Sequence, residues 1–196
     1  MSSVVDICNS ALNQIGASNI IALTEDSKAA RIWNQRYEYV RDSVFRAHPW
    51  NCLVTRVTLA PDATSPAFEF DNAFTLPTDP YCLRVLNLRY LDIVHRVEGR
   101  KILCDEDTVD LIYVGKVTDP AQYDTLLIEA LAAALSADVA YPLVGSTSLA
   151  QEMRALYEQK LSEARFVDAT EGTPASIGSV TDSGSLEADT FIRSRF

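Results

Sequence analysis

The residues whose types could do chemistry are few. They are His48 and His95, the cysteines Cys8, Cys52, Cys82 and Cys104, and the acidic run Asp105-Glu106-Asp107. Histidine moves protons near neutral pH, thiolates attack carbon or bind metal, and clustered carboxylates hold divalent cations. Spacing decides whether any of this is realised. The four cysteines lie far apart with no CxxC pair and only two histidines to join them, so no zinc site is expected and the thiols read as free and buried or half-buried. The acidic run lacks the alternate-ligand spacing of a calcium loop and reads as a solvated turn. His95 falls in an expected strand with no partner, a surface or packing position. His48 closes the stretch YEYVRDSVFRAHPWN, and Pro49 disfavours the helical conformation at the residue before it. A histidine in a last helical turn is favoured by the negative end of the helix dipole. His48 is therefore expected to cap and pack, with Trp50 as the apolar anchor where the chain turns away. No glycine-rich phosphate loop, GxSxG elbow or HExxH pattern is present. The expectation is no catalytic residue, no cofactor and no metal.

The elements that must position these residues follow from hydrophobic period. Ser3 and Asp6 suit a capping box, after which Val4, Cys8, Ala11, Leu12 and Ile15 recur at helical spacing until Gly16. A second helix is expected from Thr24, with Glu25 and Asp26 in its first turn and Ala30, Trp33, Tyr37, Val40 and Val44 as its core stripe. Arg31, Arg36, Arg41 and Arg46 step by five, about 140° around the helix each time, so they form no ladder. Pairs Glu38–Arg41 and Asp42–Arg46 are expected on a solvated or interface-facing surface.

From Trp50 to Lys116 the period becomes two, as in Leu86, Leu88 and Tyr90 or Val109, Leu111 and Tyr113. Four to six short antiparallel strands are expected. Pro61, Pro66, Pro77 and Pro80 mark a long connection, with one turn at 97–101 and a second, acidic one at 105–107. Asp119-Pro120-Ala121-Gln122 reads as the start of a third helix. Its run to Tyr141 is apolar around nearly its whole circumference, so it is expected to be buried on several sides, some of them by a neighbouring copy. Pro142 and Gly145 should end it. A fourth helix opens at Ser148, with Leu149, Met153, Leu156 and Leu161 inward.

Net charge is −10, which argues against gripping nucleic acid through its phosphates but not against surrounding it. The N-terminal MSSVVDICNS has neither a basic region nor a long apolar run, so synthesis in the cytosol is expected. After Ala169 the composition turns to Gly, Ser, Thr, Ala and Asp, which cannot bury enough surface to order itself. Phe191, Ile192, Arg193, Arg195 and Phe196 close the chain as a candidate partner-binding anchor.

Several stretches resemble the tail tubular protein A family, the head-to-tail adaptors of short-tailed bacteriophages. They are Asn9-Ser10-Ala11-Leu12-Asn13-Gln14-Ile15-Gly16; Leu23-Thr24-Glu25 with Ser27 and Ala29-Ala30; Tyr39-Val40-Arg41-Asp42; His48-Pro49-Trp50-Asn51; and Ile112-Tyr113-Val114 with Val117-Thr118-Asp119. The resemblance spans about residues 4–168. It implies an α+β fold: a four-helix bundle with a small antiparallel β insertion between helices 2 and 3 and an extended C-terminal arm. The segments would be 1–49 and 119–168 for the bundle halves, 50–118 for the insertion and 169–196 for the arm. It further implies a homo-oligomeric ring of about twelve copies in the virion, joining the portal protein to a nozzle like tail tubular protein B, with tail fibres as a further contact. Genomic DNA would pass through the ring without specific binding, and no membrane is involved. Two other readings stand beside it: a small soluble enzyme with a site near His95 and the acidic turn, and a non-viral intracellular scaffold.

Overall fold

The computed structural model describes residues 3–90 and 92–171. The arm expected at 169–196, and with it Phe191, Ile192, Arg193, Arg195 and Phe196, lies almost wholly outside them.

Helix α1 (Val4–Gln14) begins as its sequence dictates. The Ser3 hydroxyl accepts from the Asp6 amide at 3.1 Å, and the Asp6 carboxylate accepts from the Ser3 amide at 2.9 Å. The chain leaves it through Gly16 at φ 69°, the left-handed position glycine takes without strain. Helix α2 (Lys28–Ala47) starts later than the sequence suggests. Ser27 caps it by accepting from Ala30 N, while Glu25 turns back to accept from Ile21 N, so Thr24–Asp26 belong to the linker. The helix ends at His48, whose extended backbone is what Pro49 demands. Of the core stripe, Ala30, Trp33, Tyr37 and Val44 are buried and Val40 is half-buried against the core, and Arg41 and Phe45 are buried beside them.

Six strands follow: β1 (Val54–Leu59), β2 (Asn72–Thr75), β3 (Cys82–Leu88), β4 (Arg96–Glu98), β5 (Lys101–Cys104) and β6 (Val109–Gly115). They form two antiparallel three-stranded sheets of order β1-β6-β3 and β2-β5-β4. Strand β2 lies within the proline-marked stretch read as a connection. The acidic run 105–107 is not a hairpin turn, because β5 and β6 pair in different sheets; it carries the chain from one sheet to the other. Between the sheets lies a separate core of Phe74, Ile102 and Cys104 facing Leu88, Leu111 and Tyr113. Leu83, Leu86 and Val114 turn the other way, onto the helical core.

Asp119 caps only a single tight turn, Pro120–Gln122, and Asp124 caps α3 (Thr125–Val144) by accepting from Leu126 N at 2.8 Å. Helix α4 (Thr147–Thr170) follows Gly145, which sits at φ 76°. On α4 Met153 is buried, with Leu149, Leu156 and Leu161 half-buried against the core.

Two expectations need correction. The fold is α+β, but it is not a four-helix bundle carrying a small insertion. The β region has six strands and its own apolar core. The helices surround α3, which packs against α1, α2 and α4. Residues apolar all around a helix suit a hub of this kind. The same fact removes the surplus: Leu127, Leu131, Leu135 and Val139 are covered by the chain's own helices, so α3 supplies no argument for a neighbouring copy. By length and apolarity α3 could cross a membrane, yet here it is the core helix the others wrap.

Candidate functional site: a groove along α2

The residues singled out for chemistry resolve into joints. His48 Nε2 lies 3.0 Å from Asp168 Oδ2, and its ring stands edge-on to Trp50 with centroids 4.8 Å apart. Asp168 Oδ1 accepts from the Asn51 amide at 3.0 Å, and the Asn51 side chain donates to the Asp168 carbonyl at 2.7 Å. Trp50 is fully buried and donates from Nε1 to Val44 O at 3.0 Å. His48-Pro49-Trp50-Asn51 therefore locks the end of α2 onto the last turns of α4. No serine or cysteine completes a nucleophile's hydrogen-bond chain there among the described residues.

Tyr39-Val40-Arg41-Asp42 makes a second joint. Arg41 is only 3% exposed, its guanidinium lying 5.7 Å and 6.0 Å from the ring centres of Tyr37 and Phe45. It donates twice to Asp42 Oδ1, at 2.8 and 2.9 Å. Asp42 also meets Lys116 at 3.1 Å, and Lys116 meets Glu38 at 3.5 Å. Neither expected pair forms. Lys116, arriving from the end of β6, takes Glu38, and Arg46 turns to the Leu83 carbonyl. A third joint is Asn9, whose amide grips Ile20 N and O at 2.9 Å each and ties the linker to α1.

The cysteines are free and too dispersed to act together. Burial pushes the Cys8 thiol up to about 12 and raises Cys52, Cys82 and Cys104 as well, leaving little thiolate near neutral pH. Among the described residues no group of three histidine, cysteine or carboxylate side chains could hold a metal. His95 Nδ1 lies 3.1 Å from Ile93 O. The shallow depression of about 190 Å³ beside the acidic run is lined by Asp92, Ile93, Val94, Asp105 and Glu106, without His95. The two features are not drawn into one site.

What the fold leaves open is the outer face of α2. Arg36, Tyr39, Ser43 and Arg46 lie at steps of three or four, on one stripe. On one side the stripe borders α3 and α4 across a depression of about 510 Å³, where Arg36 and Asp138 form a bidentate pair at 2.7 and 2.8 Å. On the other it borders β3 and the β4–β5 turn across a groove of about 770 Å³. Tyr39, 72% exposed, stands between the two.

Three arginines line the larger groove. Arg46 donates to Leu83 O, Arg84 to Arg46 O at 3.3 Å, and Arg100 to Cys82 O at 2.9 Å and Pro77 O at 2.7 Å. Arg100 also lies 3.8 Å above the ring of Tyr81. None of the three forms an ion pair with a carboxylate among the described residues, and the one carboxylate lining the groove, Asp42, is held by Arg41 and Lys116. The arginines come from α2, β3 and a β-turn more than fifty positions apart in all, so no local pattern announces them. The legible signal was narrower, the polar stripe of α2 itself.

A scan of protein-family models finds none that matches this chain, and a search of curated proteins finds no match either. The fold and its open surface describe an α+β protein with a broad, cation-lined groove.

Proposed function

We propose that the chain is a structural head-to-tail adaptor of a short-tailed phage, a subunit of a ring of about twelve copies that joins the portal to the tail nozzle and encloses the DNA channel. The observation that carries this reading is the groove along α2. It is wide, open and lined by exposed tyrosines and by arginines that have no carboxylate partner among the described residues, a surface suited to a macromolecule. The resemblance to the tail tubular protein A family supports it in a specific way. Asn9, Arg41-Asp42 and His48–Asn51, all within the resembling stretches, sit at the joints between elements. An acidic subunit also suits a passage through which DNA slides, since like charge discourages sticking.

Native mass spectrometry of the full chain, alone and with the portal protein of the same phage, tests the proposal. Rings of defined copy number, or rings formed on adding portal, are expected. A chain that stays monomeric and unbound overturns it. Removal of residues 172–196 is expected to leave the helical and β cores folded and to weaken portal docking; unchanged affinity takes the arm out of the mechanism.

A further inference from the structure

The arginine groove has a counterpart on the same molecule. At the far end of β5, five residues and about 16 Å of strand from Arg100, the chain gathers Asp71, Asp92, Asp105, Glu106 and Asp107, all exposed. None of these carboxylates forms an ion pair among the described residues. They cluster because β2 starts where β5 ends. Asp105 Oδ1 accepts from the Asp71 amide at 3.0 Å, and the Asn72 side chain donates to Glu106 O at 3.0 Å. Val94 stands beside them 76% exposed, within the same shallow depression as Asp92 and Asp105. The β region thus ends in an acidic pole with an apolar knob on one side and a basic groove with exposed Tyr39 and Tyr81 on the other.

We propose that the acidic pole of one copy docks in the arginine groove of the next, with Arg46 and Arg84 facing Glu106 and Asp107. Among the described residues Arg46 and Arg84 each use a single donor on a backbone carbonyl, and no carboxylate takes the rest of their guanidinium. Arg100 is held by three backbone carbonyls, those of Cys82, Leu76 and Pro77, and serves as fixed positive charge. Because the two patches differ and lie at opposite ends, the contact is heterologous: each copy offers a groove to one neighbour and a pole to the other, which closes into a ring when the rotation permits. A net charge of −10 opposes every other approach of two copies, so the same patches set the orientation of association. It also repels a polyanion such as duplex DNA from the groove. This inference rests on the reading of the chain as a self-associating subunit and names the contact that does it.

The experiment uses two full-length reversals. One is Arg46→Glu with Arg84→Glu; the other is Glu106→Lys with Asp107→Lys, at exposed positions outside both cores. Each alone is expected to self-associate about 100-fold more weakly than wild type by sedimentation velocity, since like charges then meet. Mixed in equal amounts they are expected to recover assembly, because a glutamate groove takes a lysine pole while a native groove takes a native pole. Recovery also shows that both variants are folded. Wild-type association is expected to weaken at least tenfold from about 0.05 to about 0.5 M salt. The contact is overturned by wild type that does not self-associate at any salt, by single reversals that assemble like wild type, or by a mixture that fails to recover. Duplex DNA binding that the Arg46→Glu, Arg84→Glu variant abolishes also overturns it, by making phosphate the groove's ligand. Assembly that follows the charge pattern while portal stays unbound keeps the contact and removes the adaptor reading. Rings indifferent to the reversals do the opposite.

Discussion

Arg41 and Arg46 lie five residues apart on α2 and occupy opposite worlds. Arg41 is buried between two aromatic rings with a carboxylate at 2.8 Å, and that carboxylate is shared with Lys116 from the end of β6. Arg46 is exposed, bonded to a backbone carbonyl, and open to solvent along the groove. Five residues turn a helix by about 140°, enough to carry a side chain from the core to the surface. The contrast shows that in this protein charge serves two purposes, and that position around the helix decides which. Where charged groups are closed into hydrogen-bonded networks, as with Arg41 and Asp42 or Asp168 and Asn51, they fix how the elements meet. Where no carboxylate among the described residues meets them, as at Arg46 and Arg84, they are available to a further partner.

Removing Arg41 breaks the comparison most forcefully. Arg41→Ala is expected to cost about 3 kcal/mol, because it strips the half-buried Asp42 carboxylate of its double hydrogen bond and removes a buried side chain packed against Tyr37 and Phe45. Urea denaturation measures it. A loss below about 1 kcal/mol would mean that Lys116 alone satisfies Asp42 and that the buried arginine is not architectural.

Asp168→Ala is the next in size, at about 2 kcal/mol. It leaves the Asn51 amide without its acceptor and His48 without its partner at the α2–α4 joint. Asp168→Asn keeps one carbonyl oxygen for Asn51 and is expected to lose less than half as much by the same measurement. Equal losses in the two variants would place the weight on the carboxylate charge and not on the hydrogen bonds.

The sequence already marks the ends of these joints. The Ser3–Asp6 box, the stop at His48 and the buried stripe of α2 were legible because each is set within a turn or two of chain. The hub role of α3 was half legible: all-round apolarity requires cover on several sides, but period alone does not say whose helices provide it. The two-sheet β region is not legible, because β2 lies between prolines and its partner β5 is some thirty positions away. Burial of Arg41 depends on Lys116 and the rings of Tyr37 and Phe45 closing over it, and the groove depends on α2, β3 and the β4–β5 turn meeting. Such meetings follow from tertiary packing, which no spacing along one sequence displays.

A smaller test compares these closed networks with an exposed pair in the β region. Asp62 accepts from Lys101 at 2.7 Å and from the Thr75 hydroxyl at 3.0 Å, chiefly the former holding its carboxyl below the usual value of 3.8. A carboxylate depressed in the folded state contributes stability above its unfolded pKa and loses it as pH falls through the folded one. Asp62 should therefore help at pH 5 to 7 and stop helping below the pH where it finally protonates, at most about 1 kcal/mol because the pair faces water. Asp62→Asn is expected to remove that amount at pH 6 and progressively less as pH falls through the folded-state pKa, read from thermal melts across pH. An unchanged difference at pH 2 would assign the effect to the Thr75 hydrogen bond alone.

Arg46→Ala should produce the smallest change in stability, under about 0.5 kcal/mol by urea denaturation. Its bond to the Leu83 carbonyl lies at the surface, where water takes the arginine's place, and no carboxylate is left unpaired behind it. Set against Arg41→Ala on the same helix, the sixfold gap measures how far one charge has been given to the fold and the other kept from it. A loss of more than about 1.5 kcal/mol would show that Arg46 staples β3 to α2. It would then belong with Arg41 among the joints, and the open groove would have to be argued from Arg84 and the tyrosines without it.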